Sequence, residues 1–578
     1  MKRAPVLILI LAVLVATSIA FLLISINQPA ALLSHAAHDD ALYLAQARTV
    51  SAGQWMGVYN DRVLAKPPGF PIFVAGLDAL GIPYPMGVAL LRLLAVLVCA
   101  AGLWRFTGVA WPAVISVPLL LFHPQVFSTV RILRESIYPS QILLFVGLML
   151  LSFRSRWRLT GFLAAGFAFG WTWITREEGI WMLPGLVVLL AVLARNWRAV
   201  PGMLLAFGVG AAVLPVTVGA LNQKVYGRWT VSEMGDADFV AATSRLASVT
   251  DGGQKSGVGV TRATREAIYA VSPSFAALKP ILEAPDYWTF GCSPRPKTCG
   301  EIANGWWHWA FRWGAWQAGF HASPATAAKF YRAVADEVGK ACDDGRLTCI
   351  WRPIPQLPTI QTADLMEMPM YFGQLVGRLF LFNAPLQLVQ ASSGSPQEME
   401  ALLAQLNRPY AFQSPAYRPV FLANFEAVPG LAIRAITAIT PIYRDAFYVV
   451  AIGTLGLAML GLARRSRVGA WRMFGVAAAL LIFISCRLFL LAIVGVASFA
   501  TDNLMYIGPA MQLSVLMLLV LAAALAPWQR EAAGMAAPAG ASPADGRQRQ
   551  WTDLATAAVL ALAMASACLA LFAGQHAA

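Results

Sequence analysis

The chain has 578 residues, of which 58% are hydrophobic and only 12% are charged, and its mean hydropathy is +0.62. Soluble proteins carry roughly 25% charged residues, so this composition excludes a water-soluble globular protein and predicts a mainly α-helical, polytopic membrane protein. The formal net charge of +14 would suit a nucleic-acid-binding protein. The basic residues, however, cluster in short loops between apolar runs, as the positive-inside rule requires. Membrane topology therefore explains the charge, and no nucleic-acid partner is predicted.

The apolar runs predict about eleven membrane spans, because each is close to the roughly 17 to 25 residues that a helix needs to cross a bilayer. The first run follows Lys2-Arg3, as in a signal peptide, but its length and the lack of a convincing cleavage site predict a retained span. Alternating spans place every basic cluster of a short loop on the cytoplasmic side. The spans lie near residues 5–26, 86–107, 109–127, 136–152, 160–176, 178–194, 200–222, 444–463, 471–498, 504–526 and 552–575.

The first extracytoplasmic loop, residues 27–85, contains two polar features. Asp39 and Asp40 begin a helix-like pattern, where a carboxylate can cap free N–H groups and is favoured by the helix dipole. Lys66 precedes Pro67-Pro68, which forbid a helix, so this lysine is predicted to lie on a stiff loop. Taken alone, the acids suit a solvated helix cap and the lysine suits snorkelling to lipid head groups.

Further charged residues lie in the next outer turns and in one span. The second outer loop contains Arg131, Arg134 and Glu135, and the third outer turn contains Arg176-Glu177-Glu178. Arg487 lies within the predicted span 471–498. Charges squeezed between apolar runs are costly in a bilayer, so they usually face a cavity or one another. The alternatives are an interfacial ion pair at Arg134-Glu135, a structural pairing of Arg176 with Glu178, and snorkelling of Arg487.

The chain divides into an N-terminal membrane module (1–223), a polar insert (224–440) and C-terminal membrane helices (441–578). The insert is long enough for a separate extracytoplasmic domain. It holds a tryptophan-rich run, residues 306–316, which suits either a core or interfacial helix or a surface that stacks on sugars.

Four of the seven cysteines lie in this insert: Cys292, Cys299, Cys342 and Cys349. An even number in an extracytoplasmic domain predicts disulfides, and zinc is disfavoured because no C-x-x-C pair is present. Three connectivities remain open, and the simplest pairs Cys292 with Cys299 and Cys342 with Cys349.

The first loop resembles that of the membrane-embedded GT-C glycosyltransferases that use polyprenyl-phosphate sugars, the group of the lipid A aminoarabinose transferase and the protein O-mannosyltransferases. Those enzymes carry an acidic pair, then an aromatic residue, then a Glu-Lys-Pro-Pro element in this loop. Asp39-Asp40, Tyr43 and Ala65-Lys66-Pro67-Pro68 match that order. The commoner acidic pair is Asp-Glu, and a glutamate often precedes the lysine, so the sub-family and the sugar stay open.

The resemblance implies an inverting glycosyltransferase that moves a sugar from a polyprenyl-phosphate donor to a cell-envelope acceptor, which could be a glycan, a lipid or a protein. Asp39 would act as the base, and Asp40 would orient the acceptor or help to bind a metal. A divalent metal is left open as cofactor, because family members differ. The residues that would bind substrate are Tyr43, Lys66, Arg131, Arg134, Glu135, Arg176, Glu178 and Arg487.

The implied location is a bacterial-type inner (plasma) membrane, with membrane lipids around the chain and the active site facing the periplasm or the exterior. A second interpretation is a non-catalytic transporter or scaffold for lipid-linked sugars with a periplasmic sensing domain. This alternative accounts for the spans and the disulfides equally well. It does not explain why the acids, the Lys-Pro-Pro element and two Arg/Glu turns all fall on the same side.

Overall fold

The structure is a computed structural model in which the described residues are helical or lie in turns and isolated β-bridges. The predicted mainly α-helical fold is confirmed, because no strand longer than a single bridge occurs in this part of the chain. The described residues are 3–28, 31, 33, 36–128, 131–153, 155, 157–194, 197–284, 288, 298–352, 358, 360–382, 427–463 and 471–525.

The helices fall into three groups along the chain. The N-terminal group consists of α1 (Arg3–Ile26), α2 (Asp40–Ser51), α3 (Gly69–Ala79), α4 (Tyr84–Thr107), α5 (Trp111–Leu121), α6 (Tyr138–Ser152), α7 (Arg158–Thr175), α8 (Leu183–Leu193) and α9 (Val200–Tyr226). The insert contains α10 (Ala237–Ser248), α11 (Arg262–Tyr269), α12 (Pro273–Ala276), α13 (Lys279–Leu282), α14 (Asn304–Gln317), α15 (Pro324–Asp343) and α16 (Thr362–Leu381). The C-terminal group consists of α17 (Ala427–Ala463), α18 (Trp471–Ala497) and α19 (Leu504–Leu525).

Eight helical segments of the described residues are long and apolar enough to span a bilayer. Two further predicted spans are not among them. Residues 160–176 form α7, and residues 178–194 begin as a 3-10 turn, Glu177–Met182, before the short helix α8. With 11 residues, α8 is about 17 Å long at 1.5 Å per residue, which is too short for a hydrocarbon core of about 30 Å. The predicted span 552–575 lies outside the described residues.

Glycine allows α7 and α9 to pack closely. A Cβ atom on Gly166 of α7 would lie 2.1 Å from the carbonyl oxygen of Phe207, and one on Gly210 of α9 would lie 2.1 Å from that of Leu163. Small residues at such crossings let helix backbones approach in a membrane bundle, where van der Waals packing drives association. This contact joins the middle of α7 to the middle of α9.

The basic residues of the short loops meet at one end of the bundle. Arg158 at the start of α7 donates from Nη2 to the carbonyl oxygen of Leu193, 2.5 Å away at the end of α8. The guanidinium carbon of Arg472, at the start of α18, lies 5.3 Å from the Phe153 ring centre, just after α6. The antiparallel course of the helices places the Asp39 loop, the start of α6 and the end of α7 at the opposite end.

The described part of the insert packs around α14 and α15. The tryptophan-rich run forms α14, and its Trp307 and Trp309 are buried in an aromatic core. The predicted disulfide between Cys342 and Cys349 is confirmed. Cys299 is disulfide-bonded, whereas Cys292 lies outside the described residues. The domain boundaries at 223 and 440 stay a prediction; α9 continues to Tyr226 and α17 begins at Ala427.

Candidate active site

Asp39 pairs with Lys66 instead of capping α2. Its carboxylate makes no hydrogen bond to the free N–H groups of the helix, so the expected capping role is wrong. The Lys66 ammonium donates to Asp39 Oδ1 at 2.5 Å and to the carbonyl oxygen of His38 at 2.6 Å. The Asp39 side chain remains 46% exposed, whereas that of Lys66 is 9% exposed. Lys66 is therefore buried in the protein and does not snorkel, and Asp39 is the accessible member of the pair.

The surroundings favour an ionised Asp39 and a neutral His38. Burial raises the pKa of the Asp39 carboxyl, but the adjacent Lys66 ammonium outweighs this effect and holds that pKa below its ordinary value. Burial, with the nearby Arg62 and Lys66 charges, lowers the pKa of His38 to about 4. At neutral pH, Asp39 is therefore ionised and His38 carries no charge.

Asp40 pairs with a different cation from Asp39, and its side chain is completely buried. Its carboxylate forms an ion pair with the Arg131 guanidinium, and Arg131 Nε also lies 3.4 Å from Asp40 Oδ1. Burial raises the pKa of the Asp40 carboxyl, and the hydrogen bonds from Arg131 oppose that rise. With 0% exposure, this carboxylate holds the second outer loop against α2 and has no open face toward solvent.

Aromatic rings enclose the Lys66 ammonium. Its nitrogen lies 5.0 Å from the ring centre of Tyr43 and 5.5 Å from that of Trp309, within range of cation–π attraction. Trp309 also stacks on His38 with 4.2 Å between ring centres. The tryptophan-rich helix of the insert therefore contacts the first outer loop directly, next to the acidic pair.

A close backbone contact joins the first outer loop to the third outer turn. A Cβ atom on Gly69 would lie 2.6 Å from both the carbonyl oxygen of Ile174 and the hydroxyl of Thr175. Only glycine fits here without displacement, directly after Lys66-Pro67-Pro68. This contact brings the lysine loop to the residues immediately before Arg176.

The insert also holds the loop that leads to Lys66. Arg312 of α14, which is fully buried, donates to the carbonyl oxygens of Asp61 and Val63 at 2.9 and 3.2 Å and to Glu233 at 2.5 Å. The backbone N–H of Glu233 donates to the carbonyl oxygen of Leu64 at 2.7 Å. Leu64 has φ of +62°, a left-handed conformation that is strained for a bulky residue and typical of functional loops. The insert thus fixes the backbone that presents Lys66.

Charged side chains of the second and third outer turns form ion pairs with one another. Arg176 forms ion pairs with Glu135 and, at 2.8 Å, with Glu178. Arg134 lies 3.8 Å from the adjacent Glu135 and 3.6 Å from Glu177. The predicted Arg134-Glu135 pair is therefore the looser of the two pairs that Glu135 makes. Arg134 Nη1 and Glu177 Oε2 are both buried without a hydrogen bond.

Arg487 joins this group from the C-terminal half of the chain. Its guanidinium donates to Glu178 Oε1 at 2.7 Å and to the carbonyl oxygen of Tyr506 at 3.2 and 3.0 Å. The side chain is 1% exposed, so it does not snorkel to the head groups. The residues predicted from four separate segments thus lie together at one end of the bundle.

The charged centre contains five basic and five acidic side chains, each within ion-pair distance of a member of opposite charge. The basic members are Lys66, Arg131, Arg134, Arg176 and Arg487, and the acidic members are Asp39, Asp40, Glu135, Glu177 and Glu178.

The donor set does not fit a metal ion. Across the described ranges, no group of three or more histidine, cysteine, aspartate or glutamate side chains could hold one. The carboxylates of the charged centre already face lysine or arginine, which competes with a cation for their oxygens.

Sequence reasoning missed three participants in the centre. Trp309 belongs to a run that the sequence singles out, but nothing in the sequence pairs it with Lys66. Glu177 lies in the charged third outer turn but is not among the predicted substrate-binding residues, although its charge beside Glu178 was a usable signal. Tyr506 contributes a backbone oxygen, which carries no signal in the sequence.

The fold and the charged centre define a polytopic α-helical membrane protein with a predominantly buried ion-pair network at one end of the bundle. The chain matches no family model, and a search of curated proteins finds no match.

Among solved structures, the chain is similar to ArnT from Cupriavidus metallidurans. The apo structure shows 14% identity and a TM-score of 0.32, and the match covers 88% of this chain and 77% of that one. The structure bound to undecaprenyl phosphate shows 14% identity and a TM-score of 0.31, with 90% and 78% covered. At this level of similarity, individual residues of the two chains cannot be equated.

Proposed function

We propose that this protein is an integral-membrane glycosyltransferase that moves a sugar from a polyprenyl-phosphate donor to a cell-envelope acceptor, with inversion at the anomeric carbon. One observation carries the proposal: Asp39, a half-exposed and ionised carboxylate, lies beside Lys66 at the edge of a buried group of cations. The same function is supported by the resemblance to the GT-C glycosyltransferases, which rests on Asp39-Asp40, Tyr43 and Lys66-Pro67-Pro68.

Asp39 is the base in this proposal. Its carboxylate takes the proton from an acceptor hydroxyl or amine while that oxygen or nitrogen forms a bond to the anomeric carbon. The bond between the anomeric carbon and the phosphate oxygen breaks, and the polyprenyl phosphate leaves with the electron pair. Attack from the face opposite the leaving group inverts the anomeric configuration. Asp40 cannot fill this role in the same geometry, because it is completely buried against Arg131.

Lys66 links proton transfer to Asp39 with the departure of the donor phosphate in this proposal. Its ammonium is held by the Asp39 carboxylate at 2.5 Å, so the charge of one is balanced by the other before the reaction. When Asp39 takes the acceptor proton, it loses its negative charge, and the attraction that held Lys66 weakens. The ammonium then becomes available to the phosphate that gains charge as it leaves.

The donor phosphate is proposed to bind at Arg134. The ion pair of Arg134 with Glu177 is loose, at 3.6 Å, and Glu177 is 36% exposed. Arg134 Nη1 and the buried Tyr43 hydroxyl both lack a hydrogen-bond partner, and two such donors match two phosphate oxygens. A phosphate would replace Glu177 at Arg134, and Glu177 can turn to solvent at small cost. The tighter pairs formed by Arg131, Arg176 and Arg487 position this site.

The outer side of the membrane is the proposed location of the reaction, because the charged centre lies at the end of the bundle away from Arg158 and Arg472. The acceptor would be a glycan, a lipid or a protein of the cell envelope. Trp309, which lies over Lys66, offers a ring on which a sugar can stack. An enzyme that makes the lipid-linked sugar and one that moves it across the membrane are the implied partners.

The test uses purified protein in detergent with a panel of synthetic polyprenyl-phosphate sugars and an extract of envelope acceptors, and it measures released polyprenyl phosphate by mass spectrometry. Asp39→Asn should lower the release rate by about 10²- to 10⁴-fold, the usual contribution of a general base, and should leave donor binding intact. Asp61→Asn is the matched control, because Asp61 lies in the same outer loop and, among the described residues, its carboxylate forms an ion pair with Arg62 alone, at 3.7 Å.

Release that survives Asp39→Asn would show that Asp39 is not the base. Wild-type protein that binds the lipid-linked sugars but never releases polyprenyl phosphate would favour the non-catalytic transporter or scaffold. Loss of folding in Asp39→Asn is detected by gel filtration, and Asp39→Glu then decides, since it restores a carboxylate one methylene longer.

A further inference from the structure

A cleft lies beside the charged centre, between α1, α4, the Pro124–Ser128 turn and the start of α6. Its empty space, which includes open solvent at the mouth, is about 680 Å³, and Phe21, Val88 and Phe127 contribute to its apolar walls. None of its described lining residues is acidic, whereas two are arginines, Arg92 and Arg131. A cleft with apolar walls and positive charge matches an anionic amphiphile.

Arg92 is the unusual member of this lining. It lies within the candidate span Tyr84–Thr107 and is 2% exposed. Nη2 donates to the carbonyl oxygen of Leu120 at 2.9 Å, whereas Nε is buried without a partner. Among the described residues, no carboxylate forms an ion pair with it. A guanidinium without a counter-ion inside a span is costly and is usually retained for a function.

The cleft is also lined by polar groups other than Arg92. The Ser25 hydroxyl also lines the cleft and is buried without a partner. Arg92 follows Tyr84 by eight residues on α4, so it lies about 12 Å below the helix start. Arg131, which already pairs with Asp40, adds a second positive charge to the lining.

A purely structural role explains Arg92 only in part. Leu120 lies in the last turn of α5, whose carbonyl oxygens lack helical partners, and a basic side chain can cap them. This cap uses one of the five N–H donors of the guanidinium. It does not account for the unpartnered Nε, nor for the lack of a carboxylate that pairs with Arg92 among the described residues.

We propose that this cleft binds the phosphate head of a membrane amphiphile. The phosphate oxygens accept hydrogen bonds from the Arg92 guanidinium and the Ser25 hydroxyl, and the hydrocarbon tail lies against the apolar wall near Val88. The cleft is a binding site in its own right. It takes no part in the proton transfer assigned to Asp39, so it can be tested without a transfer assay.

The test measures lipid affinity of the purified full-length protein in a neutral detergent, by native mass spectrometry and by the shift in thermal unfolding temperature. The probes are a polyprenyl phosphate, phosphatidylglycerol and the zwitterionic phosphatidylcholine. Arg92→Gln should weaken the binding of at least one anionic probe tenfold or more. Arg158→Gln is the matched control, because Arg158 also donates to a carbonyl oxygen at a helix end, that of Leu193, but at the opposite end of the bundle.

A second pair of variants leaves every charge in place. Val88→Phe narrows the cleft and should also weaken the anionic probe, whereas Leu90→Phe, on the exposed face of the same helix, should not. Loss of polyprenyl phosphate binding would identify that lipid as the occupant, and loss of phosphatidylglycerol binding would identify a bulk anionic lipid. Both results support the site.

The proposal fails if the wild-type protein binds neither anionic probe more tightly than phosphatidylcholine. It also fails if Arg92→Gln lowers the unfolding temperature equally with and without lipid while affinity is unchanged, since Arg92 is then only a helix cap. If Arg92→Gln does not fold, Val88→Phe decides: unchanged affinity for the anionic probes in that variant overturns the site.

Discussion

Replacement of Arg487 by methionine should destabilise the C-terminal half of the bundle. The guanidinium donates to Glu178 at 2.7 Å and to the carbonyl oxygen of Tyr506 at 3.0 and 3.2 Å. Each hydrogen bond to a charged group contributes about 1.5–3 kcal/mol. Glu178 is partly exposed and keeps Arg176 at 2.8 Å, so its charge is not left unpaired. Because the two contacts to the Tyr506 oxygen share one acceptor, we count them as one bond and expect a loss of about 3 kcal/mol, the low end for two bonds to a charged group.

Arg487→Lys should fall between the wild type and the methionine variant. Lysine keeps the positive charge but offers a single point of contact in place of a planar fork, so it can satisfy Glu178 or the Tyr506 carbonyl but not both. The expected loss is about 1–2 kcal/mol. The order of stability should therefore be wild type, then lysine, then methionine.

The assay is equilibrium unfolding in mixed micelles of mild detergent and dodecyl sulfate, followed by tryptophan fluorescence. Trp181 reports locally, because its ring centre lies 5.6 Å from the Arg487 guanidinium carbon. Arg472→Met on the same helix is the control; Arg472 stacks on Phe153 and Trp471, and a cation–π contact is worth about 0.5–1 kcal/mol. The reasoning is refuted if Arg487→Met unfolds within about 0.5 kcal/mol of the wild type, or if lysine is worse than methionine.

Three further outcomes are expected. Glu177→Gln removes the charge that competes for Arg134, so the affinity for a polyprenyl phosphate should rise about tenfold or less in native mass spectrometry; weaker binding would contradict the proposed phosphate site. His38 is neutral in the folded protein with a pKa of about 4, below the ordinary 6.5, so the free energy of unfolding should fall as pH drops from 6.5 toward 4. This fall should be absent in His38→Gln, and an identical pH profile of the two proteins would contradict it. Removal of the Cys342–Cys349 disulfide by a double serine substitution should lower the unfolding free energy of the insert by about 2 kcal/mol, measured against the wild-type protein under oxidising conditions. Equal stability of the two proteins would mean that the short loop is already ordered in the unfolded state.

Local sequence patterns were enough to predict the membrane helices and to identify the charged residues of the outer turns. The long apolar runs predicted the membrane helices because bilayer thickness fixes the length that a span requires. The tryptophan-rich run predicted α14, and the paired cysteines predicted the disulfide between Cys342 and Cys349. The charged turns were recognisable as special because isolated charges are rarely tolerated among apolar runs.

The partners within the charged centre were decided only by tertiary structure. The sequence suggested that Asp39 caps a helix, whereas in the fold its carboxylate pairs with Lys66. The loop that carries Lys66 is held by the insert and by the contact of Gly69 with the end of α7. The predicted span 178–194 was misjudged because apolar composition does not reveal where a charged turn shortens a helix, whereas the predicted span 160–176 corresponds to α7. Ion pairing depends on distance through space, and residues such as Glu178 and Arg487, 309 positions apart, meet only when the bundle has packed.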